Sequence, residues 1–305
     1  MRAPRKRIMP VMLAVAATAL LALASAPAAR AQEPDAAAEW KPVEAALGRT
    51  GQILPGGVFK VGMPRSDLRV KVGGREIKPA LALGSWAAFK RTGAATLVAG
   101  DLVLTESEVE AVMSKLQAGG VEQTALHNHL LGETPRIMYM HIHGHGDAVK
   151  LAHALHDALA LTGTPAPASA KPVEGPAWDA AAIGKILGRK GTMNGGVLQF
   201  GVPRLERITD QGAEIPPSMG VATAINFQPT GEGKAAVTGD FVLLGSEVNP
   251  VIRTLRNNGI EVTALHSHML TEQPRLFFLH FWANDDASKL AQALKAALDK
   301  TNSMK

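Results

Sequence analysis

The histidines are the residues of this sequence whose type and spacing could support chemistry. All ten lie in two short stretches, 127–156 and 266–280. Imidazole is a common ligand for Zn, Cu, Ni and Fe, and three or four converging rings make a competent first coordination shell. The histidines at His-x-His spacing or at a matching position are the predicted ligands: His127, His129, His141, His143, His266, His268 and His280.

Convergence of these side chains depends on how the strands that carry them pair. Residues two apart on a strand point to the same face. A hairpin centred on Pro135 would place His129 opposite His141 and His127 opposite His143. Opposed side chains have Cβ atoms about 4.5–5.5 Å apart, so four imidazoles would share one patch.

The second stretch predicts a poorer site. In a hairpin centred on Pro274, His268 would face His280, and His266 would face Trp282. A tryptophan in place of the fourth imidazole leaves three ligands. The second site is therefore expected to be weaker or a structural remnant.

Carboxylates near the histidines add candidate oxygen ligands. Glu133 and Glu272 stand in the predicted turns at His-x-His-x3-Glu spacing, where a carboxylate could bind metal or orient a histidine. Asp101 could be an outer carboxylate or could simply belong to a tight Gly-Asp turn. His145 is a possible additional ligand. A structural alternative is also open, in which the histidines are packing residues with satisfied ring nitrogens.

The elements that must position these residues occur twice. Leu126–Leu130 (Leu-His-Asn-His-Leu) returns 139 residues later as Leu265–Met269 (Leu-His-Ser-His-Met), and Gly100-Asp101 returns at the same offset as Gly239-Asp240. Many matches at one offset indicate a tandem duplication. The predicted divisions are a signal peptide (1–31), a first repeat (38–163), a Pro/Ala-rich linker (164–176) and a second repeat (177–302).

Each repeat has the same predicted order of elements. A short helix is followed by strands, a helix capped by Ser107 or Ser246, two strands around a turn, and a closing helix capped by Asp147 or Asp286. Strands mixed with helices predict an α+β fold. We expect two tandem homologous domains, each with a small mixed or antiparallel sheet and helices packed on one side.

The charge distribution points to export. The chain of 305 residues has a formal charge of +5, but residues 1–31 contain five of its 32 basic residues and no acidic one, which leaves 27 of each sign. Nothing therefore indicates nucleic-acid binding. A basic start, an apolar run over 8–26 and Ala29-Arg30-Ala31 fit a cleavable signal peptide. The protein is expected to be periplasmic or secreted, with no stable membrane insertion after cleavage.

The cysteine count bears on lipid attachment and on the identity of the metal ion. The sequence contains no cysteine, so it has neither a lipidation site nor a thiolate ligand. It is not expected to be a lipoprotein. Without thiolates, Zn or Cu(II) is preferred over Cu(I).

Two family resemblances follow from these motifs. The His-x-His-x3-Glu spacing resembles the first cupin motif, but a capped helix directly precedes the hairpin and His141 follows Glu133 too soon. The better match is to the LppY/LpqO-like family of exported bacterial proteins, a domain of unknown function that often occurs in duplicate. The segments that resemble it are Ala125–His129, Glu133–Arg136 and His141–His143, echoed in Ala264–His268 and Glu272–Arg275. The resemblance implies export and duplication and no mechanism.

Three functional hypotheses follow. The first is an exported protein that binds a transition-metal ion through the histidine cluster of the first repeat, with Glu133 as an auxiliary ligand. The second is a metal-dependent hydrolase, in which three histidines hold the ion and Glu133 or Asp101 acts as general base on a bound water. The third is a non-catalytic envelope scaffold. Whether the protein is an enzyme stays open, although serine-hydrolase and nucleotide-binding motifs are absent.

Overall fold

The computed structural model describes residues 36–167 and 179–304. The predicted signal peptide lies outside the described residues, as does the part of the predicted linker from 168 to 176. Within the described ranges, no helix is long and apolar enough to cross a membrane.

The first repeat forms a six-stranded antiparallel sheet with helices. Its helices are α1 (Ala36–Leu47), α2 (Pro79–Ala82), α3 (Val109–Ala118) and α4 (Ala148–Leu159). Its strands are β1 (Gln52–Leu54), β2 (Val58–Pro64), β3 (Lys71–Val72), β4 (Arg75–Glu76), β5 (Gly84–Thr92), β6 (Ala95–Thr105), β7 (Glu122–His127) and β8 (Ile137–Gly146). The order across the large sheet is β1-β2-β5-β6-β8-β7, while β3 and β4 form a separate ribbon.

The second repeat has the same arrangement. Its helices are α5 (Ala180–Leu187), α6 (Gly245–Asn257) and α7 (Ala287–Leu298). Its strands are β9 (Thr192–Asn194), β10 (Val197–Pro203), β11 (Thr209–Asp210), β12 (Ala213–Glu214), β13 (Ala222–Gly231), β14 (Lys234–Leu243), β15 (Glu261–His266) and β16 (Phe277–Asp286). Its large sheet runs β9-β10-β13-β14-β16-β15, the order of the first repeat. The predicted duplicated α+β fold is confirmed.

One face of each large sheet packs on helices. In the first repeat, Val61, Phe89 and Met140 from the sheet share a buried apolar core with Val112 of α3 and Leu155 of α4. Side chains alternate between the faces of a strand, so His141, next to Met140, and Asp101, next to the core residue Leu102, point to the other face. The helix-free face therefore carries the candidate chemistry.

The helix-free face is covered by the other repeat. We call residues 65–83 the first arm and residues 204–221 the second arm. Gln199 of the second repeat donates a hydrogen bond from Nε2 to the carbonyl of Ala80 in the first arm, at 2.7 Å. Lys60 of the first repeat likewise donates from Nζ to the carbonyl of Ser218 in the second arm, at 3.0 Å. Each arm thus packs on the opposite sheet, and apolar cores contain residues of both repeats.

The helical segments after β6 and β14 begin earlier than predicted. A 3-10 helix (Glu106–Glu108) with its N-cap at Thr105 leads into α3, and Leu244 is the N-cap of α6, so the predicted caps at Ser107 and Ser246 are wrong. The reason is a glutamate three residues after each cap: the Glu108 carboxylate accepts the Thr105 amide at 2.8 Å, and its counterpart in the second repeat does the same. The caps predicted for the closing helices are confirmed, because Asp147 and Asp286 each accept an amide of the first turn.

A buried arginine joins the start of each arm to this capping glutamate. Arg65 donates to Glu108 at 2.7 Å and to the carbonyl of Val103 at 2.8 Å. Arg204 makes the corresponding bonds, including one to Glu247 at 2.7 Å. Both arginine side chains are only 1% exposed, so these ion pairs are anchors of the fold.

Candidate metal centre between the repeats

The register of the histidine-bearing strands differs from the predicted one. His127 pairs with Tyr139, and His141 pairs with Ala125. The predicted facing pairs, His127 with His143 and His129 with His141, are therefore wrong. The cause is the connection between β7 and β8: β7 already ends at His127, and a nine-residue loop follows instead of a tight turn.

The second repeat departs from prediction in the same way. His266 pairs with Phe278 and His280 with Ala264, so the predicted pairing of His268 with His280 is wrong. A bulge near the start of both β7 and β15 also shifts the pairing. In each repeat the second histidine of the His-x-His motif lies in the loop after the strand.

Six histidines nevertheless meet in one cluster between the two sheets, which we call the histidine centre. Its members are His127, His129 and His141 from the first repeat and His266, His268 and His280 from the second. The closest ring contacts join one repeat to the other, with centroid distances of 3.5 Å for His127–His266, 3.7 Å for His129–His280 and 3.6 Å for His141–His268. Each of these contacts recurs when both histidines are replaced by their counterparts 139 positions away in the other repeat. The cluster is therefore close to two-fold symmetric.

Two aspartates flank the histidine centre, of which Asp101 is buried and Asp240 half-buried. Asp101 on β6 is paired in register with His141, and Asp240 on β14 with His280. Oδ1 of Asp101 lies 3.9 Å from Nε2 of His141, and Oδ2 of Asp240 lies 3.7 Å from Nε2 of His268. These distances exceed those of hydrogen bonds. The aspartates approach the imidazoles without bonding them.

Aromatic rings back the histidines on either side. Tyr139 stacks on His129 at 3.4 Å, and Phe278, its counterpart in the second repeat, stacks on His268 at 3.5 Å. The Tyr139 hydroxyl donates to the carbonyl of Ala82, so it is satisfied outside the centre. These ring contacts leave Nε2 of His129 and of His268 without a hydrogen-bond partner.

Every histidine of the centre has at least one ring nitrogen without a hydrogen-bond partner. Among the described residues, each of the six histidines has a buried ring nitrogen with no hydrogen-bond partner. Oδ1 of Asp101 and Oδ1 of Asp240 are also buried and without a partner. Each unsatisfied buried group costs about 1–3 kcal/mol. Histidines that served only as packing would not accumulate this cost at one point.

Burial also sets the protonation of the centre. It lowers the pKa of His127 to about 4 and that of His266 to about 3, and it holds the pKa of the other four histidines well below the usual value. The imidazoles are therefore neutral at pH 7, the form that binds metal.

The pKa values of the two aspartates shift in the opposite direction, upwards. Burial raises the pKa of Asp101 to about 7, although the Lys60 ammonium acts against this rise. Burial, followed by repulsion from Asp101, raises the pKa of Asp240. A cation placed among these groups would favour their ionised forms.

The orientation of one ligand is set by the backbone. Nδ1 of His280 lies 2.9 Å from the carbonyl oxygen of Gly239, to which it can donate. This leaves the lone pair on Nε2, which faces the centre. Hydrogen bonding of the second ring nitrogen is how metal-binding histidines are usually oriented.

Two predicted ligands lie outside the centre. Nε2 of His143 is 3.5 Å from Oδ2 of Asp210, on the second arm. The Glu133 carboxylate accepts the amide of Ile137 at 3.0 Å and belongs to the loop between β7 and β8. The sets of donor atoms that approach within 4.8 Å of one another include neither His143 nor Glu133.

A cavity of about 350 Å³ borders the centre. Both flanking aspartates and four of the histidines line it, together with Lys60 and Trp86. Nζ of Lys60 lies 3.9 Å from the centroid of the Trp86 ring. Sequence reasoning missed these two residues, because their places in the second repeat hold residues of other types and no motif marks them.

Fold and site together define a duplicated α+β protein with a histidine centre shared by its two halves. Residues 41–161 and 181–300 each match the family described as Domain of Unknown Function (DUF1259), and the chain belongs to that family. No curated protein matches the sequence.

Similar solved structures include the trimeric bacterial microcompartment shell protein PduB, at 16% identity over 83% of this chain and 89% of that one, with a TM-score of 0.21. EtuB from Clostridium kluyveri is 11% identical over 82% of this chain and 90% of that one, with a TM-score of 0.20. These similarities are too weak to carry an argument about function.

Proposed function

We propose that this protein binds a transition metal, Zn or Cu(II), at the histidine centre. The observation that carries this proposal is the convergence of six neutral imidazoles from both repeats, each with a buried nitrogen free to coordinate. All donors are nitrogen or oxygen atoms, which suits these ions. The first repeat alone would contribute three of the histidines, so the site needs both repeats.

The test is the metal content of the chain produced without a polyhistidine tag. We expect bound metal by inductively coupled plasma mass spectrometry, and loss of it when His127 and His266 are both changed to Phe, which keeps the stacked rings. The matched control is the double change of His153 and His156 to Gln, because both side chains are exposed on α4. Protein that carries no metal and acquires none on titration with Zn or Cu would refute the proposal.

A second candidate function is hydrolysis assisted by the bound metal. It is favoured by the cavity, because metal-bound water held there would lie beside a buried carboxylate. Of the two predicted bases, Asp101 lines the cavity, whereas Glu133 is engaged by the loop. Ester and phosphoester substrates would be turned over by metal-loaded protein and not by metal-stripped protein, and Asp101→Asn would lower the turnover per bound ion. Absence of turnover would leave a binding protein.

We further propose that the protein acts outside the cytoplasm. The basic and apolar segment at residues 1–31, with its small-x-small cleavage pattern, supports export, and the resemblance to the LppY/LpqO-like family agrees with it. Expression of the full chain in a Gram-negative host and fractionation of the cells tests this. A mature protein that starts near residue 32 is expected in the periplasm, and an uncleaved cytoplasmic chain would contradict export.

A further inference from the structure

The donors at the histidine centre are too many for one ion. The six imidazoles and two aspartates provide eight side chains, whereas zinc in proteins is almost always four-coordinate. A single ion would leave several buried groups without partners. A second ion would provide partners for these groups, an inference that rests on the metal binding proposed above.

The donors divide into two sets that share no residue. One set is Asp101, His129 and His141, all from the first repeat, and the other is Asp240, His268 and His280, all from the second. Within each set the ligand atoms lie within 4.8 Å of one another. The sets correspond residue by residue at the 139-residue offset, so any coordination available to one is available to the other.

The distances within a set fit coordination better than hydrogen bonding. The aspartate-to-histidine separations are 3.9 Å in the first set and 3.7 and 4.0 Å in the second. With metal–ligand bonds of about 2.0–2.1 Å, two ligands of a tetrahedral ion lie about 3.3 Å apart. A contraction of about half an ångström would bring these aspartate–histidine pairs to the separation of two ligands of one ion.

His127 and His266 complete the arrangement. Their rings are stacked at 3.5 Å on the approximate two-fold axis, between the two sets. The ligand atoms of His127, His141 and His268 lie within 4.8 Å of one another. The same is true of the ligand atoms of His127 and His266 together with those of His129 and His280. His127 and His266 could thus each supply a fourth ligand to one of two neighbouring ions.

We infer that the histidine centre holds a pair of divalent transition-metal ions, one on each two-histidine, one-aspartate set. The two carboxylates offset part of the charge of the ions. Because both sets line the same cavity, water or a small oxygen-donor ligand could reach either ion from there as a fifth ligand.

Zinc titration of the metal-stripped full chain tests the pair. We expect two zinc ions per chain by calorimetry and mass spectrometry, and one ion per chain in each of Asp101→Asn and Asp240→Asn. Asp157→Asn, an exposed change on α4, is the matched control and should keep two. One ion in the unaltered chain would overturn the pair and leave the proposed metal binding intact. No bound ion would overturn both.

Copper serves as a second probe, because it reports whether two ions are neighbours. Electron paramagnetic resonance of the chain loaded with two equivalents of Cu(II) should show spin coupling and a weaker isolated-copper signal than one equivalent per ion predicts. Two equivalents that give twice the isolated signal would mean separate sites and would overturn the pair.

Discussion

Lys60 and Trp86 line the cavity in the first repeat, whereas the second repeat has Gln199 and Ala224 in the corresponding sheet positions. The donors themselves do not differ in this way: both repeats contribute three histidines and one aspartate. The amide of Gln199 and the ammonium of Lys60 each bind the opposite arm, so the structural role is kept while the charge is not. The centre is symmetric, and the cavity beside it is not.

A second contrast lies on β8 and β16. His143 pairs with Glu122, and Trp282 pairs with Glu261 in the equivalent register. A position that holds imidazole in one repeat and indole in the other is not needed for the shared centre. The comparison separates residues that build the centre from residues that only accompany it.

The largest expected effect is on stability and concerns the buried arginines Arg65 and Arg204. The two are expected to be equivalent because they make the same ion pair in the two repeats. Arg65→Met and Arg204→Met should each lower the free energy of unfolding by about 3–5 kcal/mol, because each leaves a capping glutamate without its buried partner. Urea denaturation measures this. Arg69→Met, which removes an exposed ion pair, should cost less than about 1 kcal/mol. A difference of several kcal/mol between the first two variants would break the symmetry.

The next effect concerns the centre. His129→Gln and His268→Gln should each weaken zinc binding at least about 100-fold, because loss of a ligand costs more than loss of an outer partner. Competition titration with a chromophoric chelator measures the affinities, and His153→Gln should leave them unchanged. If His268→Gln has no effect, His268 is not a ligand and the two repeats do not contribute equivalent ligands.

A smaller effect is expected from acid in the metal-stripped protein. His127 and His266 have pKa values of about 4 and 3 when folded and about 6.5 when unfolded, so between these values the unfolded chain binds more protons. Their contribution to stability is complete above pH 6.5 and is lost as the pH falls towards 3.

Asp101, with a pKa of about 7, acts in the opposite sense, because its folded form binds the extra proton between pH 4 and 7. His127 and His266 lose about 2 kcal/mol each and Asp101 gains about 2–3 kcal/mol, so we expect these three groups to give a net loss of about 1–2 kcal/mol between pH 7.5 and 5. Urea denaturation at both pH values measures it. The double change of His127 and His266 to Phe should flatten the dependence, and stability that rises on acidification would contradict the assignment.

The smallest effect should come from His143. His143→Gln is expected to change zinc affinity by less than about twofold, since its ring lies against Asp210 and outside the donor sets. The same chelator competition measures it. A tenfold loss would return His143 to the ligand set and would make the two repeats chemically unequal.

The sequence by itself determined the features that depend on local spacing. The 139-residue offset revealed the duplication, and the caps at Asp147 and Asp286 followed from residues within one helical turn. The predicted ligands included all six histidines of the centre. These features are readable because strand alternation and helix capping act over a few neighbouring residues.

Tertiary structure decided which of those residues meet. The loop between β7 and β8 carried His129 off the strand, and the shifted register separated His143 from the other predicted ligands. The packing of two helix-free sheet faces then merged two predicted sites into one centre. The merging depends on contacts between residues 127 to 151 positions apart, which spacing along a single chain does not specify.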